Sequence, residues 1–232
     1  MNQAQQIFPI QVFRAYDIRG KVSILTPEFI YAVANGLAEL FLERGESNIV
    51  LGYDARITSA EYAGIIQQAC IEKGLNVTLL GRCSSPQMYF SARENGGNGI
   101  MVTASHNEKC DNGIKWMLQG FPPTPEMIQA VAQKSQQYFP STHYKLYKKL
   151  EAEHIPQFCQ AYQSHLISDI QLKQKFTVAI DGLNGSAGEC AVHILEKLGC
   201  DVIALRCEAN GEFPDHAPDP SKEQNLEKLK CA

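Results

Sequence analysis

Hydrophobic residues recur at helical spacing in the first half of the chain. From Thr26, the segment TPEFIYAVANGLAELFLERG has an N-cap candidate, a proline at the first helical position and apolar residues every three or four positions. It predicts a helix that stops at Gly45. SAEYAGIIQQACIEKG predicts a second helix ending at Gly74, and a short third helix follows Pro86. A fourth helix is predicted from Thr124 to about position 138.

Short apolar runs alternate with these helices and predict buried strands. The runs are NIVLGYD, NVTLL and GIMVTAS. Strands that alternate with helices in a β-α-β-α-β order form parallel sheets covered by helices. The first half is therefore predicted to have an α/β fold.

A second, shorter α/β pattern follows a polar segment. PSTHYKLYKKLEAEHIP carries prolines at its edges and is typical of a passage between domains. The helix HIPQFCQAYQSHLISDI then precedes FTVAIDGLNGSAG (strand and glycine loop), ECAVHILEKLG (helix), CDVIALR (strand) and PSKEQNLEKLK (helix). Two parallel strands alone leave an unpaired apolar edge, so we expect a truncated second domain rather than one that another polypeptide completes.

Composition narrows the class of protein. The 232 residues are 44 % hydrophobic with a net charge of −4 and no long basic run, which argues against a nucleic-acid partner but leaves small anions as ligands. No apolar run approaches a membrane span and no leader pattern is present, so we predict a cytoplasmic location. The eight cysteines form no C-x-x-C pair, which indicates neither a zinc site nor a disulfide framework.

Side chains that could take part in catalysis are concentrated in the segment TASHNEKCDNGIK at positions 103–115. Ser105 lies at the carboxyl end of a predicted parallel strand, where ligands of such sheets gather. Acyl transfer would require the G-x-S-x-G flanks that are absent here. Two readings remain: passive capping of a loop, or phosphoryl transfer with the hydroxyl carrying a phosphate. Lys115 could supply a positive charge if Asn112-Gly113 forms a turn that folds it back.

His106 directly follows this serine. If both residues are extended, their side chains point to opposite sides, which makes His106 a poor base for Ser105. We predict that it touches the substrate. The alternative is a surface histidine bonded to the backbone.

Several motifs together resemble one family. TASHN followed by NGIK is similar to the active-site serine loop of the α-D-phosphohexomutases, the phosphomannomutase and phosphoglucomutase family. FRAYDIRG at 13–20 resembles its N-terminal signature, and GYDAR at 52–56 its G-x-D-x-R element. DGLNGSAG and GEFPDHAPDP resemble parts of its second domain. The resemblance implies a mixed, mainly parallel sheet sandwiched by helices in residues 1–145, followed by an incomplete second α/β domain in residues 146–232.

The resemblance also implies a reaction. Ser105 would carry a phosphate, pass it to a hexose 6-phosphate or 1-phosphate, and recover the other phosphate from the resulting bisphosphate. Arg19 and Lys115 would stabilise charge or assist proton transfer, with His106 nearby and Tyr16 along the substrate cleft. Mg²⁺ would bind the serine phosphate together with carboxylates, and a hexose bisphosphate would act as activator. Without the resemblance, Arg19 is read as paired with Asp17 and Tyr16 as a half-buried aromatic.

The chain departs from the family pattern in two ways. Glu108 follows TASHN where family members usually have proline, and could weaken anion binding or bring in a cation. The family's Asp-Gly-Asp-Gly-Asp-Arg metal loop lies beyond the last residue of this sequence. We therefore expect little or no mutase activity from this chain alone. The alternative is a non-catalytic, truncated or decayed mutase that at most binds sugar phosphate; neither the preferred hexose nor the oligomeric state is indicated.

Overall fold

A five-stranded sheet organises the first of two units in the computed structural model, which describes residues 7–140 and 156–232. The strands are β1 (Ile18–Lys21), β2 (Asn48–Tyr53), β3 (Asn76–Arg82), β4 (Gly99–Val102) and β5 (Asp111–Met117), in the spatial order β1-β5-β4-β2-β3. β2 pairs in parallel with β3 and β4, whereas β5 is antiparallel to β4 and β1. Four strands thus point one way, and the predicted mixed, mainly parallel sheet is confirmed.

Helices cover both faces of this sheet. They are α1 (Pro27–Glu43), α2 (Ser59–Glu72), α3 (Ser85–Glu94) and α4 (Pro125–Gln136). The Thr26 hydroxyl accepts a hydrogen bond from the Phe29 N–H at 3.3 Å, which is the cap predicted for α1. Strand residues alternate between the faces: Ile49 and Leu51 join the α1, α2 and α4 core, whereas Val50 packs on the α3 side. The predicted sandwich is confirmed.

One sequence prediction is wrong in this unit. Asn112-Gly113 was expected to form a turn, but both residues lie inside β5, where Gly113 pairs with Arg19 of β1. A Cβ at Gly113 would lie 2.5 Å from the Ile18 carbonyl oxygen. The glycine is therefore required by the close approach of two strands rather than by a turn.

The second unit is smaller. It contains α5 (Pro156–Asp169), β6 (Thr177–Asp181), α6 (Gly188–Lys197), β7 (Asp201–Leu205) and α7 (Glu227–Lys230). β6 and β7 form a two-stranded parallel sheet, as the sequence predicted. The proposed domain boundary at 145/146 and most of the polar passage fall in residues 141–155, outside the described residues. Within the described part, no helix has both the length and the apolar character needed to span a bilayer.

Candidate active site

Ser105 occupies an exposed loop three residues beyond the carboxyl end of β4. Its backbone has φ +55°, a left-handed conformation that is uncommon for a non-glycine residue. The Ser105 N–H donates a 2.8 Å hydrogen bond to the Thr103 hydroxyl, which itself donates to the Asp54 carboxylate at 2.7 Å. These bonds hold the peptide at the turn, while the Ser105 side chain remains open to solvent.

The buried side chain of Arg56 holds the serine loop in place. Its guanidinium donates to four backbone carbonyls over distances of 2.7–2.9 Å, those of Ser105, Asn107, Glu108 and Asp111. The residue is only 3 % exposed, and its Nε–H donates to Asp54 at 3.2 Å. Burial lowers the pKa of Arg56, although Asp54 opposes this effect. One arginine therefore ties together the loop that carries the candidate nucleophile.

His106 lies closer to Ser105 than the sequence suggested. Its Nδ1 is 3.4 Å from the Ser105 hydroxyl oxygen. The expectation that the two side chains point apart is wrong because it assumed extended backbone, whereas Ser105 is left-handed. Both side chains are exposed, so they face the same open space. At this distance the imidazole is one small movement away from a hydrogen bond with the serine oxygen, in a direction that the ring tautomer decides.

Arg19 reaches the serine loop through a neighbour. Its guanidinium donates to the Asn107 side-chain oxygen at 3.0 Å, to Asp17 at 3.0 Å and to the Tyr16 hydroxyl at 3.4 Å. The Arg19–Asp17 pair of the alternative reading is therefore present. Tyr16, which that reading took as half-buried, is 59 % exposed. Arg19 thus lies beside the serine loop, and it also borders a cavity.

Lys115 is placed by strand pairing rather than by a turn. It lies in β5 opposite Met101 of β4, and directly opposed residues of antiparallel strands project from the same face. Met101 borders the cavity in front of Ser105. Lys115 therefore lies on the sheet face that carries this cavity, but it is not among the residues that line it.

Two cavities flank the serine loop. The first, of about 370 Å³, is lined by Ser105, His106 and Thr103 from the first unit and, from the second, by Gly182, Leu183, Gly185, Ser186, Ala187, Phe213 and Pro218, among others. The second, of about 420 Å³, is bordered by Arg14, Tyr16, Arg19 and Asn107, among others. Of the predicted site residues, Ser105 and His106 thus line the first cavity and Tyr16 and Arg19 line the second, which Asn107 also borders.

The described residues do not form a magnesium site. No group of three His, Cys, Asp or Glu side chains among them is arranged to hold a metal ion. Asp54 comes close to the serine loop, but its oxygens are occupied by Arg56, Thr103 and the Ser59 hydroxyl. The serine phosphate and this carboxylate alone would not satisfy a cation that prefers six oxygen ligands.

Glu108 forms an ion pair with a lysine side chain. Its carboxylate lies 3.1 Å from the Lys222 ammonium of the second unit. The charge added beside the serine loop is therefore balanced by an exposed ion pair between the two units. Weakening of anion binding by Glu108 stays a prediction.

Sequence reasoning missed the residues that hold the serine loop in place. Arg56 and Asp54 lie in the GYDAR motif, which was recognised, but no role was assigned to either. Asn107 links Arg19 to the loop and donates to the Asp111 carboxylate at 2.9 Å. Burial by itself raises the pKa of Asp111, yet bonds from Lys21 and Asn107 hold it below its usual value. The arginine inside the G-x-D-x-R element is the signal that could have pointed to this support.

Comparison with known families gives two matches. Residues 10–140 match the model of the phosphoglucomutase/phosphomannomutase alpha/beta/alpha domain I. Residues 156–231 match the model of the alpha/beta/alpha domain II of the same family. Together the two matches cover most of the chain.

Individual relatives agree with this assignment. A phosphoglucomutase of Neisseria gonorrhoeae is 36 % identical over 226 residues, covering 95 % of this chain and 48 % of that protein. A phosphomannomutase/phosphoglucomutase of Pseudomonas aeruginosa strain PAO1 is 34 % identical over 223 residues, covering 95 % and 47 %. A crystal structure of a family protein from Burkholderia thailandensis superposes with TM-score 0.83 and 25 % identity, covering 97 % of this chain and 51 % of that one. The chain spans about half the length of these relatives.

Proposed function

This chain belongs to the phosphoglucomutase/phosphomannomutase family, and from that premise we propose that it carries the phosphoserine half of a hexose phosphate mutase. Ser105 is the phosphoryl carrier. The observation that supports this most directly is the exposed Ser105 hydroxyl, which faces a cavity lined by both units. The backbone of Ser105 is left-handed, and its carbonyl accepts a hydrogen bond from Arg56. Fixed geometry is what phosphoryl transfer requires, since positioning supplies most of the catalysis.

The proposed reaction uses the serine twice. In the first transfer, the bond between phosphorus and the Ser105 oxygen breaks and a bond to the free sugar hydroxyl oxygen forms. The sugar hydroxyl loses its proton and the serine oxygen gains one, which leaves a hexose 1,6-bisphosphate. After the bisphosphate turns over, its other phosphate returns to Ser105 and the proton balance is reversed. Hexose 6-phosphate and hexose 1-phosphate are thereby interconverted.

The neighbouring side chains have separate parts in this proposal. His106 holds the proton that the serine oxygen exchanges, which its 3.4 Å approach supports. Arg19 and Tyr16 contact the sugar phosphate from the second cavity, and Lys115 adds positive charge on the same sheet face. Such charges stabilise a phosphoryl group in transit.

A metal and an activator complete the proposal for a longer protein. Mg²⁺ on the serine phosphate, a hexose bisphosphate activator and a cytoplasmic location stay predictions. Mg²⁺ would supply charge neutralisation when bound. The described residues do not form its site. For the same reason we expect no appreciable conversion of glucose 6-phosphate or mannose 6-phosphate by this chain alone.

Phosphoryl acceptance can be tested without turnover. We expect purified chain incubated with glucose 1,6-bisphosphate or mannose 1,6-bisphosphate and Mg²⁺ to gain the mass of one phosphoryl group, with fragmentation locating it at Ser105. Ser105→Ala should abolish the gain. Ser85→Ala removes another serine that lines the same cavity and should leave the gain unchanged. Modification elsewhere, or none with either sugar, would refute the carrier assignment.

A further inference from the structure

A segment of the second unit crosses onto the serine loop of the first. Residues 211–222, here called the clasp segment, contact the first unit at three places along their length. They also contribute Phe213, Pro218 and Pro220 to the wall of the cavity in front of Ser105. The segment therefore closes one side of the candidate active site.

The first contact is a close backbone approach. A Cβ built on Gly211 would lie 2.2 Å from the Ala55 carbonyl oxygen and 3.0 Å from the Ile57 nitrogen. A side chain here would require one of the two backbones to move. Glycine thus lets the clasp segment lie directly on the GYDAR motif.

The second contact covers the arginine that holds the loop. The Arg56 guanidinium carbon lies 5.5 Å from the centre of the Phe213 ring, within the range of a cation–π interaction. Phe213 is 6 % exposed although its backbone is left-handed, with φ +44°. A large apolar side chain at such a backbone position indicates that its packing against the first unit outweighs the local strain.

The third contact is the ion pair between Lys222 and Glu108 at the tip of the serine loop. Its side chains are 43 % and 54 % exposed, so the ion pair helps to orient the two segments but contributes little free energy. Glu108 also offers its backbone carbonyl to Arg56 at 2.7 Å. One loop residue is therefore held by Arg56 from within and by the clasp segment from outside.

The second unit anchors the clasp segment on its own side. Arg206 binds the Asp181 carboxylate, contacts Asp215 at 3.3 Å and donates to the Asn225 carbonyl at 3.0 Å. The Asn225 amide in turn donates to the Asp219 carbonyl at 2.8 Å. The segment is thus bonded both to the end of β6 and to the turn that precedes α7.

We propose that the clasp segment positions the serine loop, with Phe213 acting through Arg56. The ring excludes water from the guanidinium, so that the four loop carbonyls and the Asp54 carboxylate are the acceptors for its N–H groups. Docking of the second unit then fixes the peptide on which the Ser105 hydroxyl is presented. The claim that the clasp segment orders the serine loop does not depend on the proposed function. The consequence for phosphoryl transfer rests on the proposed function.

Hydrogen exchange measures this coupling directly. The Asn107 and Asp111 amides donate within the serine loop, to the Ala104 and Glu108 carbonyls. We expect Phe213→Ala in the full chain to raise exchange of the peptide covering 103–111 by about tenfold. Phe213→Tyr keeps an aromatic face and should exchange like the parent chain. Phe176→Ala, at a 43 % exposed aromatic of the same unit, is the matched control and should leave the loop unchanged.

A milder pair of variants keeps the test decisive if Phe213→Ala fails to fold. Lys222→Glu changes only an exposed side chain, and we expect a rise in loop exchange of about twofold to threefold. The charge-swapped double variant, Glu108→Lys with Lys222→Glu, should restore the parent rate. Loop exchange that is unchanged in Phe213→Ala and in Lys222→Glu would overturn the proposal.

A phosphorylation assay separates this inference from the proposed function. With glucose 1,6-bisphosphate, we expect Phe213→Ala to acquire phosphate at Ser105 about tenfold more slowly than Phe213→Tyr. If the parent chain takes no phosphate but loop exchange rises in Phe213→Ala, the proposed function fails and the clasp stands. If phosphorylation occurs and loop exchange is indifferent to Phe213, the function stands and the clasp fails.

Discussion

The two units bury their sheets to very different extents. In the first unit, every residue of β4 and five of the six residues of β2 are buried. In the second, no residue of β6 or β7 is buried, and Ile203 in β7 is 38 % exposed. The first unit is therefore stabilised by a large apolar core, whereas the described part of the second has a small apolar cluster around Cys159, Cys190 and Ile194, together with turns, ion pairs and contacts with the first unit.

This contrast matters for the candidate site, because the cavity in front of Ser105 is built from both units. The well-packed unit supplies the serine, its loop and Arg56. The less buried unit supplies the opposite wall and the clasp segment. The serine loop of the well-packed unit thus faces a cavity wall that the less buried unit supplies.

The largest expected effect is in the core of the first unit. Phe41 in α1 is fully buried, and Phe41→Ala should lower the free energy of unfolding of that unit by about 3–5 kcal/mol. Trp116, the only tryptophan in the chain, lies buried in β5, so its fluorescence during urea unfolding reports on this unit. Ile203→Ala in β7 should shift the same transition by less than about 0.5 kcal/mol. Equal shifts in the two variants would contradict the contrast between the units.

A second effect is expected at the contact between core and loop. Arg56→Met removes the guanidinium donor from Asp54 and from the four loop carbonyls, and should cost about 3 kcal/mol in the tryptophan-detected transition. Arg56→Lys keeps the charge but cannot reach five acceptors, so it should rescue little of this loss. Arg44→Met removes an exposed arginine of the same unit and is the matched control. Full rescue by lysine would show that charge, not the fork of donors, holds the loop.

Sequence patterns predicted the parts of this architecture that depend on local periodicity. α1 and α2 follow the apolar spacing, and both end within two residues of the glycines that were predicted to stop them. β5 was missed because Asn-Gly is a frequent hairpin signal, whereas the glycine is required by the close approach of β1 and of the Thr103 carbonyl. Tertiary contact overrode local turn preference.

The sequence was enough to predict residues of the candidate site, but not the hydrogen bonds that hold them in place. The motif resemblance named Ser105 and Arg19, but the geometry around them depends on long-range bonds that no local pattern encodes. Arg56 reaches the Ser105 carbonyl across 49 residues, and Arg19 reaches Asn107 across 88. The left-handed backbone of Ser105, which turns its side chain toward His106, is maintained by those same bonds.

The smallest expected effect is a pH dependence confined to the second unit. Burial by itself raises the pKa of Asp181, but hydrogen bonds from Arg206 and the Leu183 N–H, with the Arg206 charge, hold it below its usual value. The folded state therefore binds this proton less tightly than the unfolded state. The stability that the pair contributes is fully present above the unfolded pKa, about 4, and is lost as the pH falls through the lower folded pKa.

This dependence can be read from peptides of β6 by hydrogen exchange, corrected for intrinsic rates, between neutral pH and about pH 3. In the parent chain, protection of β6 should fall on acidification below about pH 4, while the Trp116 transition changes less. Asp181→Asn removes the titrating group, so β6 should be less protected at neutral pH and its protection should vary less with pH. Asp201→Asn alters an exposed ion pair with Lys175 in the same unit and should leave the profile of the parent chain. An acid-induced loss that persists undiminished in Asp181→Asn would mean that other carboxylates of this unit, such as Asp215 with its lowered pKa beside Lys228, govern its stability.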